Sequence, residues 1–174
     1  MSGFTLILGG ARSGKSALAE TLVLNYVEAV PPHYLATAEA FDNEMVERIA
    51  RHRDQRRGAG WVTLEAPHDL TALLAGLPTG APVLIDCLTL WLTNHLLGES
   101  DLPREIDALE AAILARRAPV VAVSNEVGLG IVPDNALARR FRDEAGRLNQ
   151  RLANRAGRVV FVAAGLPMVL KGTL

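Results

Sequence analysis

Residues Gly9-Gly10-Ala11-Arg12-Ser13-Gly14-Lys15-Ser16 fit the pattern G-x-x-x-x-G-K-[ST], and this stretch constrains the fold more than any other in the chain. Phe4-Thr5-Leu6-Ile7-Leu8 before it reads as a short buried strand, and Ala17 to Leu24 after it reads as a helix. A glycine loop between strand and helix is a phosphate-binding P-loop. The glycines let backbone N–H groups curl around phosphate oxygens with no Cβ in the way, and the helix N-terminus adds partial positive charge. Lys15 is placed to reach the terminal phosphates, and the Ser16 hydroxyl to help hold Mg²⁺. A glycine turn that merely happens to carry Lys-Ser is the alternative, and it leaves the flanking strand and helix unexplained.

The rest of the chain continues the alternation. Strands are expected at 33–38, 61–65, 82–86, 119–124 and 159–163, with a further strand in the tail at 168–171. Helices are expected at 42–57, 69–75, 88–97, 105–117 and 134–156, with loops at 98–103 and 125–133. Continuous apolar strands alternating with helices specify an α/β fold, a mostly parallel sheet of six or seven strands with helices on both faces. At 174 residues, with no linker or internal repeat, the whole of 1–174 is expected to form a single nucleotide-binding domain. Such sheets bind ligands at the carboxyl ends of their strands, so the residues just after each strand carry the functional reading.

Composition narrows the partners. A formal net charge of −1 offers no general nucleic-acid or membrane surface, and no apolar run approaches the ~20 residues that span a bilayer. The single cysteine, Cys87, excludes an internal disulfide and lies in an apolar run as a small buried hydrophobe. The first strand begins close to Met1 and leaves no room for a cleavable signal, so a soluble, cytoplasmic protein is expected.

Three further constellations can carry chemistry. Asp86 closes the run Val83-Leu84-Ile85-Asp86, where an acid either binds Mg²⁺ beside Ser16 or caps the helix that begins at Leu88. On the helix expected at 42–57, with Asp42 as its N-cap, Phe41, Met45, Ile49, His52 and Arg56 fall on nearly one face. His52 is then either a hydrogen-bonded histidine at the edge of the core or a nucleophile. Arg48 and Arg56, one turn to either side, disfavour imidazolium and gather phosphate oxygens, which is what attack by a neutral imidazole on a nucleotide phosphate requires. Ser124-Asn125-Glu126-Val127-Gly128-Leu129-Gly130 follows the fifth strand; Asn125 and Glu126 either contact a substrate hydroxyl or water, or simply start a crossover turn. Arg139, Arg140, Arg142 and Arg147 are expected to be solvated or paired with acids such as Asp143 and Glu144. His33, His68 and His95 stand at no metal-ligand spacing.

Taken together, the P-loop, Tyr34-Leu35-Ala36-Thr37-Ala38, Asp42-Asn43-Glu44-Met45, Arg48-Ile49-Ala50-Arg51-His52-Arg53, Ser124 through Pro133, and Leu137 to Ala153 resemble the bifunctional adenosylcobinamide kinase / adenosylcobinamide-phosphate guanylyltransferase family of cobalamin biosynthesis. The resemblance covers essentially the whole chain. It implies a RecA-like P-loop NTPase fold and two reactions. Adenosylcobinamide is phosphorylated by ATP or GTP, and GMP then passes from GTP to the new phosphate, giving adenosylcobinamide-GDP and pyrophosphate. It also implies a guanylylated histidine at His52, with Lys15 as the other catalytic residue. Some relatives carry two adjacent histidines there, but Arg51-His52 leaves one candidate. Nucleotide contacts carry over to Gly9, Gly10, Ala11, Arg12, Ser13, Gly14, Lys15 and Ser16, to Ala36, Thr37 and Ala38, to Arg53, Asp54, Gln55 and Arg56, and to Glu65 and Asp86. Ser16 and Asp86 are the implied Mg²⁺ ligands, and a homotrimer is the implied assembly. Another small-metabolite kinase, without a covalent intermediate, and a nucleotide-dependent switch are the competing functions.

Overall fold

The computed structural model describes residues 3–39, 58 and 60–174. Seven strands are present among them: β1 (Phe4–Gly9), β2 (His33–Ala36), β3 (Val62–Glu65), β4 (Val83–Asp86), β5 (Val120–Asn125), β6 (Arg158–Ala163) and β7 (Leu166–Lys171). Five helices accompany them: α1 (Lys15–Leu24), α2 (Leu70–Gly76), α3 (Leu88–Leu97), α4 (Leu102–Ala115) and α5 (Ala136–Arg155). The helix expected at 42–57, and His52 with it, lies outside the described residues.

The strands form one sheet in the order β3-β2-β4-β5-β1-β6-β7. β1 to β6 run parallel, and β7 returns antiparallel to β6. Ala164 (φ 52°) and Gly165 (φ 78°) make the tight turn between those last two strands, the pair of positive φ values that matches a hairpin's twist. Side chains alternate across the sheet and divide the core in two. Leu6, Leu35, Val83, Ile85, Val120 and Ala122 pack with α2, α3, α4 and α5, whereas Ile7, Tyr34, Leu84, Val121, Val123 and Val160 pack with α1. The inner parallel strands β4 and β5 read as apolar runs because both faces are covered, whereas the edge strand β3 carries exposed Val62 and Glu65.

Helix boundaries follow their caps. α4 begins earlier than expected, because the Asp101 carboxylate accepts the Arg104 N–H (3.3 Å) and Pro103 sits in the first turn, where its missing N–H costs nothing. Asn135 caps α5 by accepting the Ala138 N–H (2.7 Å). The two helices are tied through buried Glu110, which accepts from Arg151 Nε and from Arg155 Nε (2.7 Å). Burial alone would raise this carboxyl's pKa, but the two guanidinium groups outweigh it and hold the group ionised. Arg142 and Arg147 pair with Asp143 and Glu144, at 2.9 and 2.7 Å.

His95, on α3, is 4% exposed and packs against Trp91 and His68, with ring centroids 4.5 and 5.4 Å away. Burial lowers its pKa below the ordinary 6.5, with the Glu105 carboxylate opposing. The unfolded chain therefore protonates this ring at a higher pH than the folded chain does. Stability should fall as pH drops from 6.5 toward the folded value. Urea titrations at about pH 7.5 and about pH 5.5 should show a lower midpoint in acid, and His95→Gln should narrow the difference. Equal pH dependence in the two proteins would refute this assignment.

Candidate nucleotide site

The loop from Gly9 to Ser16 leaves an inner strand of the sheet, because β1 is flanked by β5 and β6. Ser13 N–H donates to Gly10 O (3.3 Å) and Leu18 N–H to Gly14 O (3.2 Å), which closes the loop onto α1. Gly14, at the N-cap of α1, has φ 95°, a conformation that a side chain would strain. Gly9 is needed for a different reason: a Cβ there would stand 2.5 Å from Val162 O and 2.7 Å from Ser13 Oγ. No acid occupies the first turn of α1, so nothing there competes with a phosphate for its N–H groups. Lys15 is only 8% exposed and turns inward, its Nζ donating to Gly10 O at 2.9 Å. Ala11 and Arg12 are exposed, Ser13 is buried and Ser16 is half-buried.

A support that sequence reading missed comes from the far end of the chain. Gly165 N–H, in the β6–β7 turn, donates to Ser13 O at 2.8 Å and braces the loop from outside. Nothing near Gly165 in sequence signals this contact.

The second wall is a row across the carboxyl edge. In the sheet register Ala36 pairs with Glu65 on one side and Asp86 on the other, so three of the expected residues stand in line. The Asp86 carboxylate accepts the Tyr34 hydroxyl at 2.5 Å, and Tyr34 in turn stacks edge-on against Trp61. The helix-capping alternative for Asp86 is not realised: Cys87 holds the N-cap position of α3 and no side chain caps that helix. Thr37 is fully buried. Its hydroxyl donates to Cys87 O (2.6 Å) and accepts from Cys87 N–H (2.8 Å), while its own N–H donates to Asp86 O (3.0 Å). Asn94 Nδ2 then reaches both Thr37 O (2.9 Å) and Pro67 O (3.0 Å). Thr37 therefore builds the wall, with Ala36 and Ala38 half-buried beside it. This turn inward is why β2 stops at Ala36 rather than Ala38.

Burial, helped by neighbouring Asp86, pushes the Cys87 thiol up to about 11, so it stays protonated and unreactive at neutral pH. Ser16 follows the buried Lys15 at the start of α1, and Asp86 closes β4 at the carboxyl edge of the sheet. No cluster of three metal-binding side chains occurs among the described residues, and Mg²⁺ typically takes one or two protein oxygens with phosphates and water.

The third wall is the segment after β5. Asn125 pairs with Gly9 across the sheet, and Glu126 N–H donates to Gly9 O at 3.0 Å, which sets this loop directly against the P-loop. The polar atoms here are engaged locally. Asn125 N–H donates to Thr89 Oγ1 (2.6 Å), and Glu126 Oε1 accepts Gly128 N–H (2.5 Å). These bonds hold the start of the segment at a position beside the phosphate loop. His52, Arg53, Asp54, Gln55 and Arg56, with Arg48, lie outside the described residues.

The flagellar accessory protein FlaH of Methanocaldococcus jannaschii is similar in fold at 10% identity, with a TM-score of 0.56 over 99% of this chain and 80% of that one. The fold is that of a RecA-like P-loop NTPase. In sequence, the chain is 52% identical over 172 residues to the bifunctional adenosylcobalamin biosynthesis protein CobP of Pseudomonas aeruginosa, covering 96% of each. It is 42% identical over 182 residues to the bifunctional adenosylcobalamin biosynthesis protein CobU of Salmonella typhimurium, covering 95% of this chain and 98% of that one. Residues 5–170 match the family described as cobinamide kinase / cobinamide phosphate guanyltransferase, and the chain belongs to that family.

Proposed function

We propose that this chain, a bifunctional enzyme of cobalamin biosynthesis, phosphorylates adenosylcobinamide and then guanylylates the product through His52. The observation that carries the proposal is a complete phosphate loop, with Lys15 drawn inside it, in a chain matching the family over residues 5–170. In the first reaction the aminopropanol hydroxyl oxygen attacks the γ-phosphorus of ATP or GTP. The bond to the β-phosphate oxygen breaks, the nucleoside diphosphate departs and the hydroxyl proton is released. Lys15 and the first-turn N–H groups of α1 hold the phosphates in line and offset their charge. Ser16 and Asp86 would hold Mg²⁺, which supplies further positive charge to the phosphate oxygens.

In the second reaction the His52 imidazole nitrogen attacks the α-phosphorus of GTP and expels pyrophosphate. A phosphate oxygen of adenosylcobinamide phosphate then attacks the phosphoramidate, forming adenosylcobinamide-GDP and freeing the ring. Splitting the transfer in two replaces one difficult displacement by two easier ones. Arg53, Asp54, Gln55, Arg56, Ala36, Ala38 and Glu65 are proposed to surround the guanine nucleotide. A homotrimer in the cytoplasm completes the proposal. The exposed apolar edge at Leu166, Met168, Val169 and Leu170 is the surface suited to joining copies, and a sedimentation mass of three chains is expected.

The competing kinase without a covalent intermediate predicts no adduct. Mixing the protein with GTP and Mg²⁺ should add the mass of one GMP, labile to acid and stable to base. An unshifted mass under conditions that support corrinoid phosphorylation would exclude the histidine route.

A further inference from the structure

We infer that the corrinoid substrate is seated on an apolar platform made by the loop Val127–Pro133 and the groove between α3 and α5. The inference rests on the reading of the chain as a corrinoid kinase and extends it to the seat of the acceptor.

The platform stands where an acceptor must stand. Its loop begins at Glu126, whose N–H is bound to Gly9 O of the phosphate loop. Asn149 Nδ2 reaches Asn125 O at 3.4 Å, so Asn149 marks the level on α5 at which β5 ends. From there back to Ala136 lie about 20 Å of helix, on the side from which the chain enters α5 after β5. α3 also stays at this edge, since Asn94 bonds to the carbonyls of Thr37 and Pro67 just past β2 and β3. Between the two helices lies a cavity of about 390 Å³, lined by Thr93, Leu96, Leu97, Leu137, Ala138 and Phe141 together with Asn135.

Its chemistry is wrong for a nucleotide and right for a large neutral-rimmed ring. The lining holds no charged side chain, only the polar Thr93 and Asn135 among apolar groups. Leading into it, Ile131 is 97% exposed, Leu129 83% and Val132 63%, and Leu97 and Leu137 are 57% and 53% exposed at the groove itself. Exposed apolar side chains that lead along the chain into an apolar groove at Asn135 and Leu137 suit a binding site. The loop that carries it is anchored at both ends: Glu126 Oε1 accepts Gly128 N–H, and Arg139 Nη1 donates to Pro133 O (3.0 Å) and Asp134 O (2.8 Å). A corrinoid is a broad macrocycle edged with methyl groups and carboxamides. Such a ring covers Leu129, Ile131 and Val132 and extends an arm across Gly128 and Glu126 to the phosphate loop. The anionic substrate and the ring are thus held by separate, chemically opposite surfaces that meet at Gly9.

The test uses the full chain carrying Leu129→Ser with Ile131→Ser, and separately Leu137→Ser, with Leu114→Ser on α4 as a control away from the edge. Corrinoid affinity is read by equilibrium dialysis with cobinamide and by the cobinamide KM of the kinase assay. Each lost apolar contact should raise both by roughly tenfold, while the nucleotide KM moves by less than about twofold. The Leu114→Ser protein should match the parent. Unaltered cobinamide affinity in folded platform variants overturns the inference. So does a loss of affinity that appears only with a changed sedimentation mass, since the platform would then be covered by a second copy of the chain. A parent protein that binds cobinamide through this platform yet does not phosphorylate it would overturn the kinase reading and leave the seat standing.

Discussion

Replacing His52 with alanine should lower guanylyl transfer by at least about a thousandfold while the kinase rate keeps its order of magnitude. The reason lies in the division of labour between the two reactions. Phosphorylation of a hydroxyl needs in-line positioning and charge neutralisation, both supplied by the P-loop, and no protein nucleophile. Guanylyl transfer through a covalent intermediate needs a nucleophilic nitrogen, and His52, with Arg48 and Arg56 four residues to either side in the sequence, is the one proposed to supply it. Arg51 precedes it, so no adjacent histidine can take over. The two rates should be measured on one preparation, cobinamide phosphorylation by product analysis and transfer by the release of pyrophosphate. An alanine variant that still acquires a full GMP adduct removes His52 from the mechanism. Equal loss of both activities would mean that His52 serves the nucleotide site as a whole rather than the transfer alone.

Lys15→Ala should impair both reactions together, by about 10² to 10³ in kcat. The side chain is 8% exposed and its Nζ lies 2.9 Å from Gly10 O, so the ammonium is held within the curve of the loop. Under the proposed mechanism, charge that develops on transferring phosphoryl oxygens, or on departing pyrophosphate, would be met there by a group already largely buried and oriented. Lys15→Arg should recover little of the loss, because a planar guanidinium is too broad for a loop closed by Ser13 N–H on Gly10 O and braced by Gly165 on Ser13 O. Steady-state assays of both steps provide the check. A kinase rate untouched by Lys15→Ala alongside lost guanylyl transfer would show that the phosphorylating nucleotide binds elsewhere.

Much of the architecture was legible because it is written locally. α3 was expected at 88–97 and is found at Leu88–Leu97, since an apolar helical run between a strand and Gly98 leaves little choice. The inner strands β4 and β5 announced themselves as apolar runs. Where boundaries moved, a contact from elsewhere moved them. Thr37 was expected to continue a strand, but its hydroxyl is satisfied by both polar groups of the Cys87 backbone. Asp86 carried two readings in the sequence, and the partner that distinguishes its setting, Tyr34, lies on another strand. Glu126 was open between substrate contact and turn, and the tertiary structure adds a local partner for one of its carboxylate oxygens, Gly128 N–H.

From the sequence alone came the class of ligand, because a phosphate loop is built by eight consecutive residues and the strand and helix that touch them. Glycines at Gly9 and Gly14 and a lysine at Lys15 bring their chemistry with them wherever the chain folds. Tertiary structure alone decided the row Glu65, Ala36 and Asp86 along the carboxyl edge of the sheet, the brace from Gly165 on the loop, and the apolar segment that starts at Glu126 beside Gly9. These neighbours are set by strand order and register, which are cooperative outcomes of packing two core faces at once. No local stretch of residues encodes them.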